Sequence, residues 1–143
     1  MATGLEIAVY GGAATGAVQL GGPITPDRLT LWLVVAVLAP LLYAPMIEEL
    51  FFRGLVVRSI AGGVDNPIPV GVAALAIAAS SVGFALIHLI GVTSVTTIMV
   101  LGGSTLVFGF ASGLLAILTK RLGASITAHV TFNALVTVPM LLA

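Results

Sequence analysis

Four long apolar stretches follow one another along the chain, separated by short breaks of glycine, proline and polar residues. They cover about residues 29–60, 68–90, 97–119 and 123–142. Each stretch reaches the roughly 20 residues that an α-helix needs to cross the hydrocarbon core of a bilayer. The pattern therefore predicts an all-α membrane protein whose core is a bundle of about four transmembrane helices.

The breaks between the stretches carry residues that end helices or reverse the chain. Gly62 and Gly63 end the first stretch, and residues 64–67 are predicted to form a turn. No Asp, Glu, Lys or Arg occurs from residue 66 to residue 119. Because that length exceeds one span, the chain must fold back, and the least apolar part, residues 91–97, is predicted to be the hairpin.

The segment that precedes the bundle has a different character. Residues 1–28 are rich in glycine and only mildly apolar, so they are predicted to form an irregular or interfacial segment, with a short helix at Leu5–Tyr10. Residues 29–143 are predicted to form the transmembrane core. Within its first helix, Pro40 and Pro45 each remove a backbone donor, which predicts a local distortion that neighbouring groups repair.

Composition narrows the class of protein further. Apolar residues make up 59% of the chain and charged residues only 7%, against about 25% charged in soluble domains. The net charge of zero argues against a nucleic-acid partner. The lack of cysteine excludes disulfides, thiolate metal sites and cysteine catalysis. We expect a multi-pass integral protein of a bacterial cell membrane.

Two groups of basic residues suggest how the chain is oriented. Arg53 and Arg58 fall at the end of the first span, and Lys120 with Arg121 separates the third span from the fourth. In a four-span protein both groups lie on the same side of the membrane. The positive-inside rule predicts that this side is cytoplasmic.

A few costly polar residues interrupt the apolar stretches. A charged side chain at the middle of a bilayer costs about 2.5–3.5 kcal/mol on insertion scales, so such residues face protein or water rather than lipid. Three separate spans each contribute to this set, which favours convergence on one site. Its members are Glu48, Glu49, Arg53, His88, His129 and Asn133.

The two adjacent acids are predicted to have different roles. Glu49 precedes Arg53 by four residues, the order that favours an ion pair within a helix. Glu48 points about 100° away from Glu49 on an α-helix. The positions three and four residues after Glu48 are Phe51 and Phe52, so Glu48 has no basic partner on its own helix and is free to act elsewhere.

The residue types in this set permit two kinds of chemistry. A carboxylate with two imidazoles and a carboxamide can activate water and stabilise an oxyanion. Alternatively, Glu48, His88 and His129 could hold a zinc ion that keeps an open fourth position. Taken singly, each histidine is more often a buried structural residue than a catalyst. The motifs of zinc, rhomboid-type serine and aspartyl intramembrane proteases are missing from the sequence.

The order and spacing of these residues resemble the CPBP family of CAAX proteases and bacteriocin-processing enzymes, also called the Abi family. The resemblance extends over about residues 40–135. The three motifs that carry it are Glu48-Glu49-x-x-x-Arg53, Phe84-x-x-x-His88 and His129-x-x-x-Asn133.

The resemblance implies an intramembrane endopeptidase that hydrolyses a peptide bond by glutamate-activated water. It implies that Glu48 is the general base, assisted by His88, and that His129 and Asn133 form the oxyanion hole. It leaves open whether a metal such as zinc takes part or none does. The supporting members of the motifs would be Glu49, Arg53 and Phe84.

Three hypotheses about function follow. The leading one is an intramembrane peptidase that acts on a peptide or protein substrate in the bilayer; the CAAX branch of the family removes the last three residues of prenylated proteins. The main alternative is a non-catalytic scaffold or bacteriocin self-immunity protein that keeps the polar cluster for structure. A small transporter is less favoured, because the polar residues form a cluster rather than continuous stripes. The oligomeric state is left open.

Overall fold

The computed structural model describes residues 25–63 and 67–142, with the side chains of residues 28 and 140–142 excepted. Every regular element in these ranges is a helix, so the predicted all-α fold is confirmed. Helix α1 runs without interruption from residue 26 to residue 61. The other three helices are α2 (Val70–His88), α3 (Val95–Thr119) and α4 (Gly123–Leu142).

The ends of the helices follow local sequence signals. Gly62 and Gly63 end α1 with positive φ angles of 72° and 95°, a conformation that glycine adopts without strain. Helix α1 begins at Pro26 rather than Leu29, because a proline in the first turn loses no needed hydrogen bond. Helix α3 begins two residues earlier than predicted, because the Ser94 hydroxyl accepts a hydrogen bond from the Thr97 N–H.

Some predictions fall on parts of the chain that the structure does not describe. The irregular segment over residues 1–24, including the short helix at Leu5–Tyr10, lies outside the described residues. Most of the turn predicted at residues 64–67 also lies outside them. The hairpin between the second and third helices is present and occupies residues 89–94.

Helix α1 changes its hydrogen-bond spacing along its length. Leu33–Tyr43 and Leu50–Val57 are π-helical, and they flank an α-helical turn at Ala44–Glu49. The N–H of Ala44 bonds to the carbonyl of Ala39, five residues back. A proline ring clashes with the carbonyl four residues before it, and the wider turn accommodates that clash. The distortion expected from the prolines is therefore a local widening of the helix.

Three of the helical segments are long and apolar enough to cross a membrane. They are Leu29–Ala61, Val70–His88 and Val95–Thr119, with mean hydropathies of 2.1, 2.2 and 1.9. Helix α4, which was predicted as a fourth span, is not among them when the described residues are searched. Its 20 residues nevertheless correspond to about 30 Å of helix. The chain is an integral membrane protein.

Helices α2 and α3 form the most closely packed pair of the bundle. A Cβ atom at Gly109 would lie 3.0 Å from the Cα atom of Ser81, and one at Gly113 would lie 3.1 Å from the Ile77 side chain. Both glycines are buried. The small residues at four-residue spacing therefore allow the helices to approach closely, as expected in lipid.

The two basic groups lie at the same end of the bundle. The Arg58 guanidinium donates a hydrogen bond of 3.4 Å to the carbonyl of Lys120, which ends α3. This contact agrees with the arrangement expected from a four-helix order. The side of the membrane that this end faces stays a prediction.

Candidate active site

A cavity of about 740 Å³ lies in the half of the bundle away from the basic end. All four helices contribute to its wall: the middle of α1, the C-terminal end of α2, the N-terminal half of α3 and the middle of α4. We call it the site cavity. It brings together five of the predicted site residues from three separate helices, namely Glu48, Phe84, His88, His129 and Asn133. The other two, Glu49 and Arg53, lie behind its wall, where both are fully buried.

Glu48 is the acid that faces the cavity. Its side chain is 23% exposed, and its Oε2 atom lies 3.6 Å from Nε2 of His129. That separation is longer than a hydrogen bond. Glu48 is therefore near an imidazole and open to the cavity at the same time.

Glu49 is a fully buried carboxylate with three donors. Its Oε1 atom accepts a hydrogen bond of 2.9 Å from Arg53, which confirms the predicted ion pair. The same oxygen lies 2.9 Å from Nδ1 of His129. Its Oε2 atom accepts a hydrogen bond of 2.6 Å from the Ser112 hydroxyl. Glu49 thus does more than neutralise the arginine, because it also holds a histidine of another helix.

Sequence reasoning missed the contribution of Ser112. This residue occurs among small residues of α3 that pack helices together, so its spacing does not distinguish a packing role from a polar one. The set of charged residues nevertheless contained a signal that a further donor was needed. A buried carboxylate normally has several hydrogen-bond partners, and Arg53 alone supplies too few donors for Glu49.

The guanidinium of Arg53 lies in a pocket of aromatic rings. Its central carbon lies 4.7 Å from the centre of the Phe84 ring and 5.9 Å from those of Phe52 and Phe108. The group also donates a hydrogen bond of 3.2 Å to the carbonyl of Gly109. Cation–π contacts of this kind stabilise a charge that has been removed from water. The centre of the Phe84 ring also lies 4.4 Å from that of His88 and 5.5 Å from that of His129, so Phe84 packs against Arg53 and both histidines.

The hydrogen bonds at both histidines assign the same tautomer. Nδ1 of His129 faces the Glu49 carboxylate, and Nδ1 of His88 lies 2.8 Å from the backbone carbonyl of Phe84. Because carboxylate and carbonyl oxygens only accept, Nδ1 carries the proton in each ring. The Nε2 atom of each neutral ring is then an acceptor. Both imidazoles can receive a proton or a hydrogen bond there.

Asn133 lies one helical turn beyond His129 and contacts α1. Its Nδ2 atom donates a hydrogen bond of 2.9 Å to the carbonyl of Pro40. At the five-residue spacing of the π-helical segment, the donor to that carbonyl would be residue 45, which is also a proline and has no N–H. Asn133 therefore satisfies a carbonyl that the helix itself leaves free. Its second Nδ2 hydrogen is not used by this bond.

Comparison with known proteins agrees with this arrangement. Residues 30–135 match the family model described as "Type II CAAX prenyl endopeptidase Rce1-like". The match covers well over half of the chain. The chain belongs to this family. No curated protein and no solved structure shows a significant match to it. Membership of this family supports, in general terms, a membrane endopeptidase of the CAAX protease type.

Charge balance in this Rce1-like site depends on one proton. Glu48, Glu49, Arg53 and His129 form a continuous cluster. With both acids ionised, the arginine charged and the histidine neutral, its net charge is −1. One further proton, held by Glu48 or His129, brings the cluster to zero. Because uncompensated charge is costly in an apolar interior, the Glu48–His129 pair is suited to hold and exchange that proton.

The residues predicted for a zinc site are Glu48, His88 and His129, and this alternative stays a prediction. No group of three His, Asp or Glu side chains that could hold a metal ion occurs in residues 25–63 and 67–142. One nitrogen of His129 is hydrogen-bonded to Glu49, and His88 uses its Nδ1 for a backbone carbonyl. Histidines that ligate a metal usually donate their other ring N–H to such acceptors, so these bonds fit a site with zinc as well as one without it.

Proposed function

We propose that this Rce1-like chain is an intramembrane endopeptidase in which Glu48 is the general base that activates water. The observation that carries the proposal is the relation between its two adjacent acids. Glu48 faces the site cavity beside Nε2 of His129, while buried Glu49 holds the other nitrogen of the same ring. A partly exposed carboxylate close to an oriented imidazole is an arrangement suited to proton transfer.

The reaction begins with water between Glu48 and Nε2 of His88. Glu48 removes a proton as the water oxygen attacks the scissile carbonyl carbon. The peptide C=O becomes an oxyanion on a tetrahedral carbon. The C–N bond then breaks, and Glu48 returns its proton to the leaving amine. The products are a carboxylic acid and an amine, so one water is consumed for each bond cleaved.

His129 and Asn133 supply the donors for the oxyanion in this proposal. When the shared proton is on His129, Nε2 carries a hydrogen and Glu48 is ionised. The base and one oxyanion donor are thus present in the same protonation state. The second donor is the remaining Nδ2 hydrogen of Asn133. Donors held in place before the reaction are worth about 10²–10³ in kcat each.

The proposed mechanism uses no metal ion. It is supported by the lack of any group of three His, Asp or Glu side chains placed to hold a metal ion in residues 25–63 and 67–142. Two measurements test this part of the proposal. They are the metal content of the purified protein and its activity after treatment with a chelator. Loss of activity that zinc restores would overturn it.

The central test compares cleavage by the parent protein and two carboxamide variants. The protein is reconstituted in liposomes with a library of apolar peptides, and cleavage sites are mapped by mass spectrometry. Glu48→Gln should reduce cleavage by at least 10³-fold while circular dichroism stays unchanged. Asp27→Asn is the matched control, because Asp27 is exposed at the start of α1 and away from the cavity. It should retain parent activity.

The same experiment separates the peptidase from the scaffold hypothesis. A scaffold or immunity protein predicts that no peptide is cleaved in a Glu48-dependent manner. Cleavage that is equal in the parent protein and Glu48→Gln would mean that Glu48 is not the base. Either result would refute the proposed function.

A further inference from the structure

Helix α3 supplies no member of the three sequence motifs, yet it contacts both partners of the buried ion pair. The Ser112 hydroxyl donates a hydrogen bond of 2.6 Å to Oε2 of Glu49. One turn earlier, the Gly109 carbonyl accepts a hydrogen bond of 3.2 Å from Arg53. A single turn of α3 therefore holds the glutamate through a donor and the arginine through an acceptor.

The bond that Ser112 makes differs from those of the other hydroxyl groups. Most serine and threonine side chains of the bundle donate to a carbonyl of their own helix, as Ser81 and Thr105 do, and this local bonding is the common arrangement in membrane helices. Within residues 25–63 and 67–142, Ser112 is the one hydroxyl group that donates to a side chain. A role limited to helix packing would not require that partner.

The close approach of α2 and α3 places Ser112 deep in the bundle. Ser112 lies between Gly109 and Gly113, whose Cβ atoms would lie 3.0 and 3.1 Å from atoms of α2. Its own side chain is fully buried and does not line the site cavity. A substrate in the cavity therefore does not touch Ser112, and any effect of this hydroxyl on the reaction passes through Glu49.

We propose that Ser112 is a positioning residue of the active site, which keeps the Glu49 carboxylate ionised and directed at His129. The inference rests on the proposed peptidase function and adds to it a residue outside the three motifs. A hydrogen bond donated to a carboxylate stabilises its charged form. That charge keeps the proton of the Glu49–His129 bond on Nδ1 of the imidazole.

Loss of the hydroxyl changes the position of that proton. The negative charge of Glu49 is then less stabilised, so the proton shifts from Nδ1 of His129 towards Oε1 of Glu49. The imidazole loses positive charge in the same step, and its Nε2 atom becomes a weaker donor to the oxyanion. Because the cavity wall is unchanged, the effect should appear in turnover rather than in substrate binding.

Kinetics of two matched serine variants separate positioning from stability. Ser80 is also fully buried and donates a hydrogen bond of 3.0 Å to the carbonyl of Phe52 on another helix, without contacting Glu49 or His129. Ser112→Ala and Ser80→Ala thus each remove one buried bond between helices. In liposomes we expect Ser112→Ala to lower kcat by about tenfold or more and Ser80→Ala by less than about twofold, with KM within about threefold of the parent value in both.

Nuclear magnetic resonance reports the position of the proton directly and needs no substrate. The chain contains two histidines, so isotope labelling of histidine nitrogen gives signals from two rings, which His88→Gln assigns. Nδ1 of His129 should be protonated in the parent protein and in Ser80→Ala. In Ser112→Ala it should lose part of its proton to Glu49. The His88 signals should stay unchanged, because its Nδ1 atom bonds to a backbone carbonyl.

The possible failures are distinguishable. If no peptide is cleaved in a Glu48-dependent manner, the proposed function falls, and a role of Ser112 in catalysis falls with it. If Glu48-dependent cleavage is present but Ser112→Ala and Ser80→Ala lower kcat equally, the peptidase proposal stands and Ser112 is only structural. A His129 Nδ1 signal that is the same in the parent protein and in Ser112→Ala would also refute the positioning role.

Discussion

The strongest test of the buried cluster is the isosteric change Glu49→Gln. The glutamine oxygen can still accept from Arg53 and from Nδ1 of His129, and its amide group can donate to Ser112. The shape of the network is thus preserved while one negative charge is removed. With Glu48 ionised and Arg53 charged, the cluster is already neutral, so His129 no longer takes up the extra proton.

The expected effect is a loss of turnover rather than of substrate binding. His129 without a proton on Nε2 cannot donate to the oxyanion, and one such donor is worth about 10²–10³ in kcat, or about 2.7–4 kcal/mol. Because the cavity wall is unchanged, KM should change less than threefold. Both constants are measured in liposomes with a cleaved library peptide, and the thermal midpoint in detergent controls for folding.

A second substitution tests whether charge is the cause. Adding Arg53→Gln to Glu49→Gln removes the positive charge, so the cluster again needs one proton to be neutral with Glu48 ionised. We expect kcat of the double variant to be at least tenfold higher than kcat of Glu49→Gln. Coupling between neighbouring groups makes such recovery measurable as a double-mutant cycle. Two results would contradict the charge argument. One is a kcat of Glu49→Gln close to that of the parent protein. The other is a kcat of the double variant no higher than that of Glu49→Gln.

Three further substitutions test other contacts. Ser112→Ala removes the 2.6 Å donor to buried Glu49, so it should cost about 1–3 kcal/mol in unfolding free energy; an unchanged thermal midpoint would contradict this. Gly109→Ala should lower stability by about 1–3 kcal/mol because its Cβ atom would press on the Ser81 backbone, whereas Gly103→Ala, with open space around it, should not. Asn133→Ala should lower kcat by about 10²-fold through loss of an oxyanion donor. Adding Pro45→Ala, which restores an N–H for the Pro40 carbonyl, should recover stability but not kcat; recovery of both would reduce Asn133 to a structural role.

Much of the fold could be predicted from the sequence because lipid imposes strong rules. Apolar length predicts the helices, and the pair Gly62 and Gly63 predicts the end of α1. The helix bounds differ by a few residues where a local cap decides them, as Ser94 does for α3. The π-helical spacing of α1 could not be predicted in detail, since prolines indicate a distortion without specifying its form.

The convergence of the polar residues on the site cavity was predictable, and their individual contacts were less so. The cost of polar groups in lipid brings Glu48, His88 and His129 together, whatever the tilt of their helices. Helical spacing predicts contacts only within one helix, which is why it predicted the pair of Glu49 with Arg53. The bond from His129 to Glu49 joins residues 80 positions apart, and no periodicity reports such a distance. Ser112 was missed for the same reason.

The two adjacent glutamates acquire different roles because of the turn on which they lie. Ala44–Glu49 is α-helical between two π-helical segments, and its geometry separates the directions of consecutive side chains by about 100°. Glu49 therefore points into the bundle towards Arg53 and Ser112, and Glu48 points to the cavity. In the proposed mechanism the acid held by three donors orients His129, and its neighbour exchanges a proton with that histidine. The two acids can differ in this way because Glu49 is buried and bonded to three donors, whereas Glu48 faces the cavity.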